Sequence, residues 1–180
     1  NQLGAFVGWE GSLQKNNFRN LIEYNPFVAS RLIVENAHYH NWYGGVRGSF
    51  NDFGYEAQAG FKKVDNLATF LPLPDDQRQF QVLYDTADIF YIQGMIGGPV
   101  NEQLELTATI GQNFFSTQVG EKAWHLPSLE ANFSALYTAM EGKLKLRGEL
   151  YAADGVPFLN EEQESERLNA LFDVSLGAEY

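Results

Sequence analysis

The stretch from Leu129 to Ala152 alternates apolar and polar side chains along two arms that stay in step across a turn, and few folds tolerate that pattern. One arm presents Leu129, Ala131, Phe133, Ala135, Tyr137 and Ala139, with Glu130, Asn132, Ser134, Leu136, Thr138 and Met140 between them. The other presents Leu144, Leu146, Gly148, Leu150 and Ala152, with Lys143, Lys145, Arg147, Glu149 and Tyr151 between them. Side chains of a strand alternate faces, so this is a period-two pattern and not a helical one. A turn at Glu141-Gly142 sets Ala139 opposite Leu144, Tyr137 opposite Leu146 and Phe133 opposite Leu150. A slip of one residue would carry Lys145 and Arg147 onto the apolar face, so the pattern also specifies the register.

Other segments repeat the pattern. Trp42, Gly44, Val46, Gly48 and Phe50 alternate with Tyr43, Gly45, Arg47 and Ser49. After Asn51-Asp52, Phe53, Tyr55, Ala57, Ala59 and Phe61 alternate with Gly54, Glu56, Gln58 and Gly60. This hairpin sets Arg47 opposite Glu56, a cross-strand charge pair of the kind that contributes roughly 0.2–1 kcal/mol. A third hairpin is expected around Gly98 to Glu102, and Leu3–Leu13 and Leu168–Tyr180 read as further strands. The expectation is about eight or nine antiparallel strands in meander order, mostly of roughly 9–13 residues, against the ~5–6 typical of soluble sheets. Longer polar links are expected from Asn66 to Gln79, with Pro72, Pro74, Asp75 and Asp76, and from Asp154 to Arg167, with Glu161, Glu162, Glu164 and Glu166.

Two architectures use long two-faced strands: a soluble sandwich or small barrel that buries its apolar face and binds a ligand or partner, and a membrane barrel that shows this face to lipid. Soluble cores favour Val and Ile at native packing density. Here the apolar faces mix Leu, Ala and Gly with Phe, Tyr and Trp. Aromatics near strand ends, namely Trp9, Trp42, Phe61, Phe114, Trp124 and Phe158, suit the interfacial girdles of outer-membrane barrels. Short turns alternating with long links suit them too. We therefore expect an all-β fold, an antiparallel transmembrane β-barrel or a contiguous part of one, with residues 1–180 forming one barrel domain in contact with outer-membrane lipid.

Composition narrows the functions. With 12 basic and 23 acidic residues the formal charge is −11, which argues against a nucleic-acid partner. The chain has no cysteine, which removes disulfides and thiolate metal sites. His38 and His40 share a strand face, but with no third ligand near them a loop or interfacial role outweighs metal binding. His125, in Trp124-His125-Leu126-Pro127, reads as an anchor at a boundary. The run Glu161, Glu162, Glu164, Glu166 lacks the internal glycine of a calcium loop. No nucleophile elbow, phosphate loop or zinc helix is present, so no enzyme, cofactor or metal is expected. On the polar faces, Arg47, Glu56, Lys143, Lys145, Arg147 and Glu149 are the candidates to line a lumen. Three cations on one arm would favour anionic solutes or the carboxylates of a plug, unless they pair with acidic neighbours.

Several stretches carry a family likeness: Asn16-Asn17-Phe18-Arg19-Asn20-Leu21, Glu23-Tyr24-Asn25-Pro26-Phe27, Tyr43-Gly44-Gly45-Val46-Arg47-Gly48, Gly60-Phe61-Lys62-Lys63-Val64-Asp65-Asn66, Ala123-Trp124-His125-Leu126-Pro127 and Val174-Ser175-Leu176-Gly177-Ala178-Glu179-Tyr180. From about Leu13 to Tyr180 the chain resembles the barrel region of TonB-dependent receptors of Gram-negative outer membranes. That resemblance implies a large barrel, an N-terminal plug, an energy-coupling partner and uptake of a bulky solute whose identity it does not name. The sequence holds no plug and no energy-coupling box, and has too few strands for a 22-stranded transporter barrel. The expectation is thus a portion of a larger barrel.

Overall fold

The computed structural model describes every residue except Asn1, Leu32, Pro74, Gln77 and Glu161, and of Gln2 the backbone alone. The chain runs β1 (Gln2–Gln14), α1 (Phe18–Tyr24), β2 (Ala37–Phe50), β3 (Phe53–Pro72), β4 (Phe80–Pro99), β5 (Leu104–Thr117), β6 (Leu129–Ala139), β7 (Leu144–Asp154), β8 (Pro157–Leu159), β9 (Ser165–Arg167) and β10 (Leu171–Glu179). Eight strands form one antiparallel sheet in the order β1-β2-β3-β4-β5-β6-β7-β10, and β8 and β9 form a separate small hairpin. The main sheet is a meander, as alternation and short turns dictate. It is open: among the described residues, β1 and β10 each pair on one side only.

The registers follow the sequence pattern. Ala139 faces Leu144, Tyr137 faces Leu146 and Phe133 faces Leu150; Arg47 faces Glu56. The tight β6–β7 connection places Met140, Glu141 and Gly142 at φ 51°, 55° and 91°, a left-handed run that only its glycine adopts without strain. Lys143 belongs to this turn, capping its single helical turn, and is not a rung of the β7 ladder. In the third hairpin the ladder extends to Pro99, opposite Glu105. Asn101 Oδ1 then accepts the amides of Gln103 and Leu104, both at 2.9 Å, and closes the turn.

Two strands are longer than expected. β3 and β4 have 20 residues each, so most of the stretch from Asn66 is ladder and the link shrinks to residues 73–79. The polar composition there concealed a bulge. The register shifts between Val64 and Leu67, with Asn66 at φ 60°, and Asn66 Nδ2 donates to the Asn36 carbonyl at 3.2 Å. One extra residue re-aims the strand and turns Leu67 and Phe70 into a packed core. β10 in turn begins at Leu171 and not Leu168, because β8 and β9 take up the preceding link.

The three short turns lie at one end of the sheet and the four longer links at the other. Nearly all buried side chains gather at the link end. One cluster joins Ala37, Val64, Leu67, Ala87 and Ile89, and a second joins Leu21, Val28 and Phe70. Helix α1 is held by a capping box in which Asn17 and Asn20 exchange side chain-to-backbone bonds, both 3.0 Å. The helix spends this order on burying Leu21 beneath the β3–β4 extension. Asp85, 3% exposed, accepts the amides of Val119 and Gly120 at 3.0 and 2.7 Å and pins the β5–β6 link.

Candidate functional site

The face containing Leu3, Val46, Ala57, Ile92, Ile110, Phe133, Leu150 and Val174 is apolar from one edge of the sheet to the other. On β2 the apolar run is Trp42 to Phe50, on β3 Phe53 to Phe61, on β4 Phe90 to Gly98, on β6 Leu129 to Ala139, on β7 Leu144 to Ala152 and on β10 Phe172 to Ala178. Gln112 on β5 is the one amide within this band. Among the described residues no second layer covers it: Val7 is 90% exposed and Leu176 84%. At the link end Trp9, Trp42, Phe61, Phe90 and Phe114 stand opposite one another in a row across five strands. The next outward positions are Gly11, His40, Lys63, Asp88 and Ser116, again in register. The face thus changes from apolar to polar within one step, at a line of rings.

The other face is paved. A methyl group at Gly8 would come within 2.5 Å of the Tyr43 ring, and one at Gly60 within 2.6 Å of the Tyr91 ring, so aromatic rings pack over glycines of the neighbouring strand. Cations sit on two of these rings: the Arg47 guanidinium is 5.7 Å from the centre of Phe6, and Lys62 Nζ 4.4 Å from that of Tyr91. Nearer β7, the Tyr151 hydroxyl donates to Glu130 at 2.7 Å.

The candidate residues sort as follows. Arg47 and Glu56 are opposite in register, yet they do not form an ion pair; the described ion pairs are Arg19–Glu23, Arg147–Glu149 and Arg167–Asp154. Stacking on Phe6 holds the guanidinium away from the carboxylate. Lys145 faces Thr138 on one side and Glu179 on the other, and Arg147 faces Leu136 and Gly177. Arg147 pairs at 3.9 Å with Glu149 on its own strand. With Lys143 in the turn, the three-cation ladder reduces to two. The polar face as a whole carries Glu10, Glu56, Glu105, Glu130, Glu149, Asp173 and Glu179 against Arg47, Lys62, Lys145 and Arg147. This balance does not select anions.

Trp9, Trp42 and Phe61 form the aromatic row. Trp124 does not: it lies in the β5–β6 link and is 3% exposed, packed inside the link end. Phe158 sits in the β8–β9 hairpin opposite Glu166. His40 stacks between Trp9 and Trp42, at ring distances of 6.3 and 6.2 Å, with His38 two residues above it on the same face. His125 meets the Phe80 ring edge-on at 5.3 Å, and burial there pushes its imidazole below the usual value. Of the glutamate run, Glu161 lies outside the described residues. Glu164 and Glu166 bond to Asn160, which organises the hairpin turn. At the top of β7 the Gly155 amide and the Arg167 guanidinium hold Asp154 below the usual carboxylate range. Sequence reading missed the paved rings, although glycines set beside aromatics in register (Gly8 and Tyr43, Gly60 and Tyr91) were the available signal.

These features define an open eight-stranded antiparallel wall with one apolar and one polar face. No family model and no curated protein matches the chain. Among solved structures it is similar to the copper transporter OprC, with a TM-score of 0.57 and 13% sequence identity over 98% of this chain and 28% of that one. The chain therefore spans little more than a quarter of that transporter's length, and what the two share is the fold.

Proposed function

We propose that this chain is a section of wall from an outer-membrane transport barrel of a Gram-negative bacterium, with its apolar face in lipid and its polar face toward a water-filled interior. The observation that carries this is the apolar band, bounded at the link end of β1 to β5 by an aromatic row. Each strand of 9–11 residues in such a band is long enough to cross a bilayer at a tilt. The short turns supply the tilt. On one hydrogen-bonded row, Arg47 is three residues from the strand end at Phe50, Met95 four from Pro99, and Asn132 seven from Ala139. If the turns lie at one level, the register drifts by one residue per strand over four strands. At ~3.4 Å per residue and ~4.8 Å between strands this is a tilt of about 35°, at the lower end of the 35–45° of outer-membrane barrels.

Lipid also explains why an exposed apolar face far larger than a soluble monomer carries is filled with Ala and Gly as freely as with Leu and Ile. The two unpaired edges call for further strands, and the fold shared with part of a longer transporter supports their supply by the rest of a larger barrel. A plug domain and an energy-coupling partner, implied by the TonB-dependent resemblance, belong to that remainder. The role is passage of a polar solute, without catalysis; copper is not carried over from a neighbour at 13% identity.

A matched pair of substitutions tests this. Ile92 and Gln93 are adjacent on β4 and point to opposite faces. In the complete barrel that contains this wall, refolded with phosphatidylcholine vesicles, Ile92→Arg is expected to weaken insertion by about 2–4 kcal/mol, read by flotation and protease protection, while Gln93→Arg inserts like the parent. Equal behaviour of the two variants would contradict the assignment of faces.

A further inference from the structure

We propose that the polar face carries a saccharide-binding pocket centred on Tyr43. The proposal rests on the reading that this face meets water, and it names the class of solute. A cavity of about 470 Å³ opens here, bordered by Glu10, Asn41, Tyr43, Arg47, Glu56 and Gln58, within the range of ordinary small-molecule sites. The Tyr43 ring packs over Gly8, and Phe6 packs edge-on against it with ring centres 6.2 Å apart. The missing side chain at Gly8 leaves room for the ring against the wall, as a platform for the C–H face of a pyranose.

Around the platform stand planar groups that offer donors and acceptors in pairs: the amides of Asn41 and Gln58, the guanidinium of Arg47 and the carboxylates of Glu10 and Glu56. Vicinal hydroxyls match such pairs. Elsewhere on the polar face these groups satisfy one another, as Tyr151 does with Glu130 and Arg147 with Glu149. In this pocket they do not. Asn41 Oδ1 is buried without a hydrogen-bond partner, and Arg47 and Glu56 face each other across neighbouring strands without an ion pair. Charge argues against simple ions: Arg47 opposes a cation, and Glu10 and Glu56 oppose an anion. A neutral, hydroxyl-rich ring suits the accessible groups of Gln58, Arg47, Glu10 and Glu56.

The test is calorimetric titration of the complete barrel that contains this wall, in detergent micelles, with three neutral trisaccharides, maltotriose, cellotriose and chitotriose, and with triglycine as a zwitterion of similar length. At least one trisaccharide is expected to bind, with affinity falling tenfold or more in Tyr43→Leu and Glu56→Gln. Tyr43→Phe, which keeps the ring, and Lys145→Gln, remote on the same face, are expected to stay within about twofold of the parent. Absence of binding by all three sugars, equal binding of triglycine, or binding that survives Tyr43→Leu would overturn the proposal. Circular dichroism of each variant separates loss of the pocket from loss of fold. Should Ile92→Arg and Gln93→Arg differ as expected while the sugars fail to bind, the saccharide site alone falls.

Discussion

The wall and the link end of this sheet are built from the same strands but solve different problems. Below the aromatic row, β2 to β7 bury almost nothing on the apolar face; the polar face is closed by rings laid over glycines. Above the row, β3 and β4 pass through a bulge, gather a true core around Val64 and Phe70, and receive helix α1 and the anchored β5–β6 link. On the function proposed above, the difference is one of solvent. A face that meets hydrocarbon needs only to be apolar, whereas a segment surrounded by water must bury its apolar side chains against each other.

Substitutions can break this comparison. The largest effect is expected from Leu21→Ala, which opens a cavity in the link-end core and costs about 2–5 kcal/mol. Hydrogen exchange should show the loss confined to the amides of α1 and the β3–β4 extension, and faster exchange along β6 and β7 would mean that the two regions are one cooperative unit. Gly60→Ala addresses the wall. Its methyl would come within 2.6 Å of the Tyr91 ring, displacing the ring and the lysine above it, at about 1–3 kcal/mol; thermal unfolding in micelles reads this, and an unchanged midpoint would show that the ring has room to move.

The smallest effect concerns pH. His125 has its pKa lowered by burial, so the unfolded link end binds its proton more readily than the folded one. Its contribution to stability is present above the ordinary histidine pKa of about 6.5 and is lost as pH falls through the lower folded value. Proteolysis of the β5–β6 link should therefore quicken below about pH 6.5, and His125→Phe should remove that dependence. An unchanged pH profile in the variant would assign it elsewhere.

How much was legible in the sequence follows the same division. The wall was written in it: alternation set the registers of Arg47 with Glu56 and of Phe133 with Leu150, since only one register keeps charges off the apolar face. The link end was not. Asn66 read as the start of a loop, because a bulge interrupts the period of two that identifies a strand. Trp124 read as a boundary ring because composition cannot tell a tryptophan in a girdle from one in a core. Of the polar-face candidates, Arg47 and Glu56 were placed correctly opposite each other, but their failure to pair depends on Phe6, which reaches them from a strand that is distant in sequence. Lys143 fell into the turn because the β6–β7 connection takes four residues rather than two.

The most direct test of the central claim uses the absence of native cysteine. Single cysteines placed in turn along β6 from Ala131 to Tyr137, spin-labelled in the complete barrel reconstituted in phosphatidylcholine vesicles with any cysteine outside these residues replaced by serine, report access to oxygen dissolved in lipid and to a water-soluble nickel chelate. The account predicts a period of two, with positions 131, 133, 135 and 137 open to oxygen and 132, 134 and 136 open to nickel. Nickel access at every position, or the opposite phase, would contradict it.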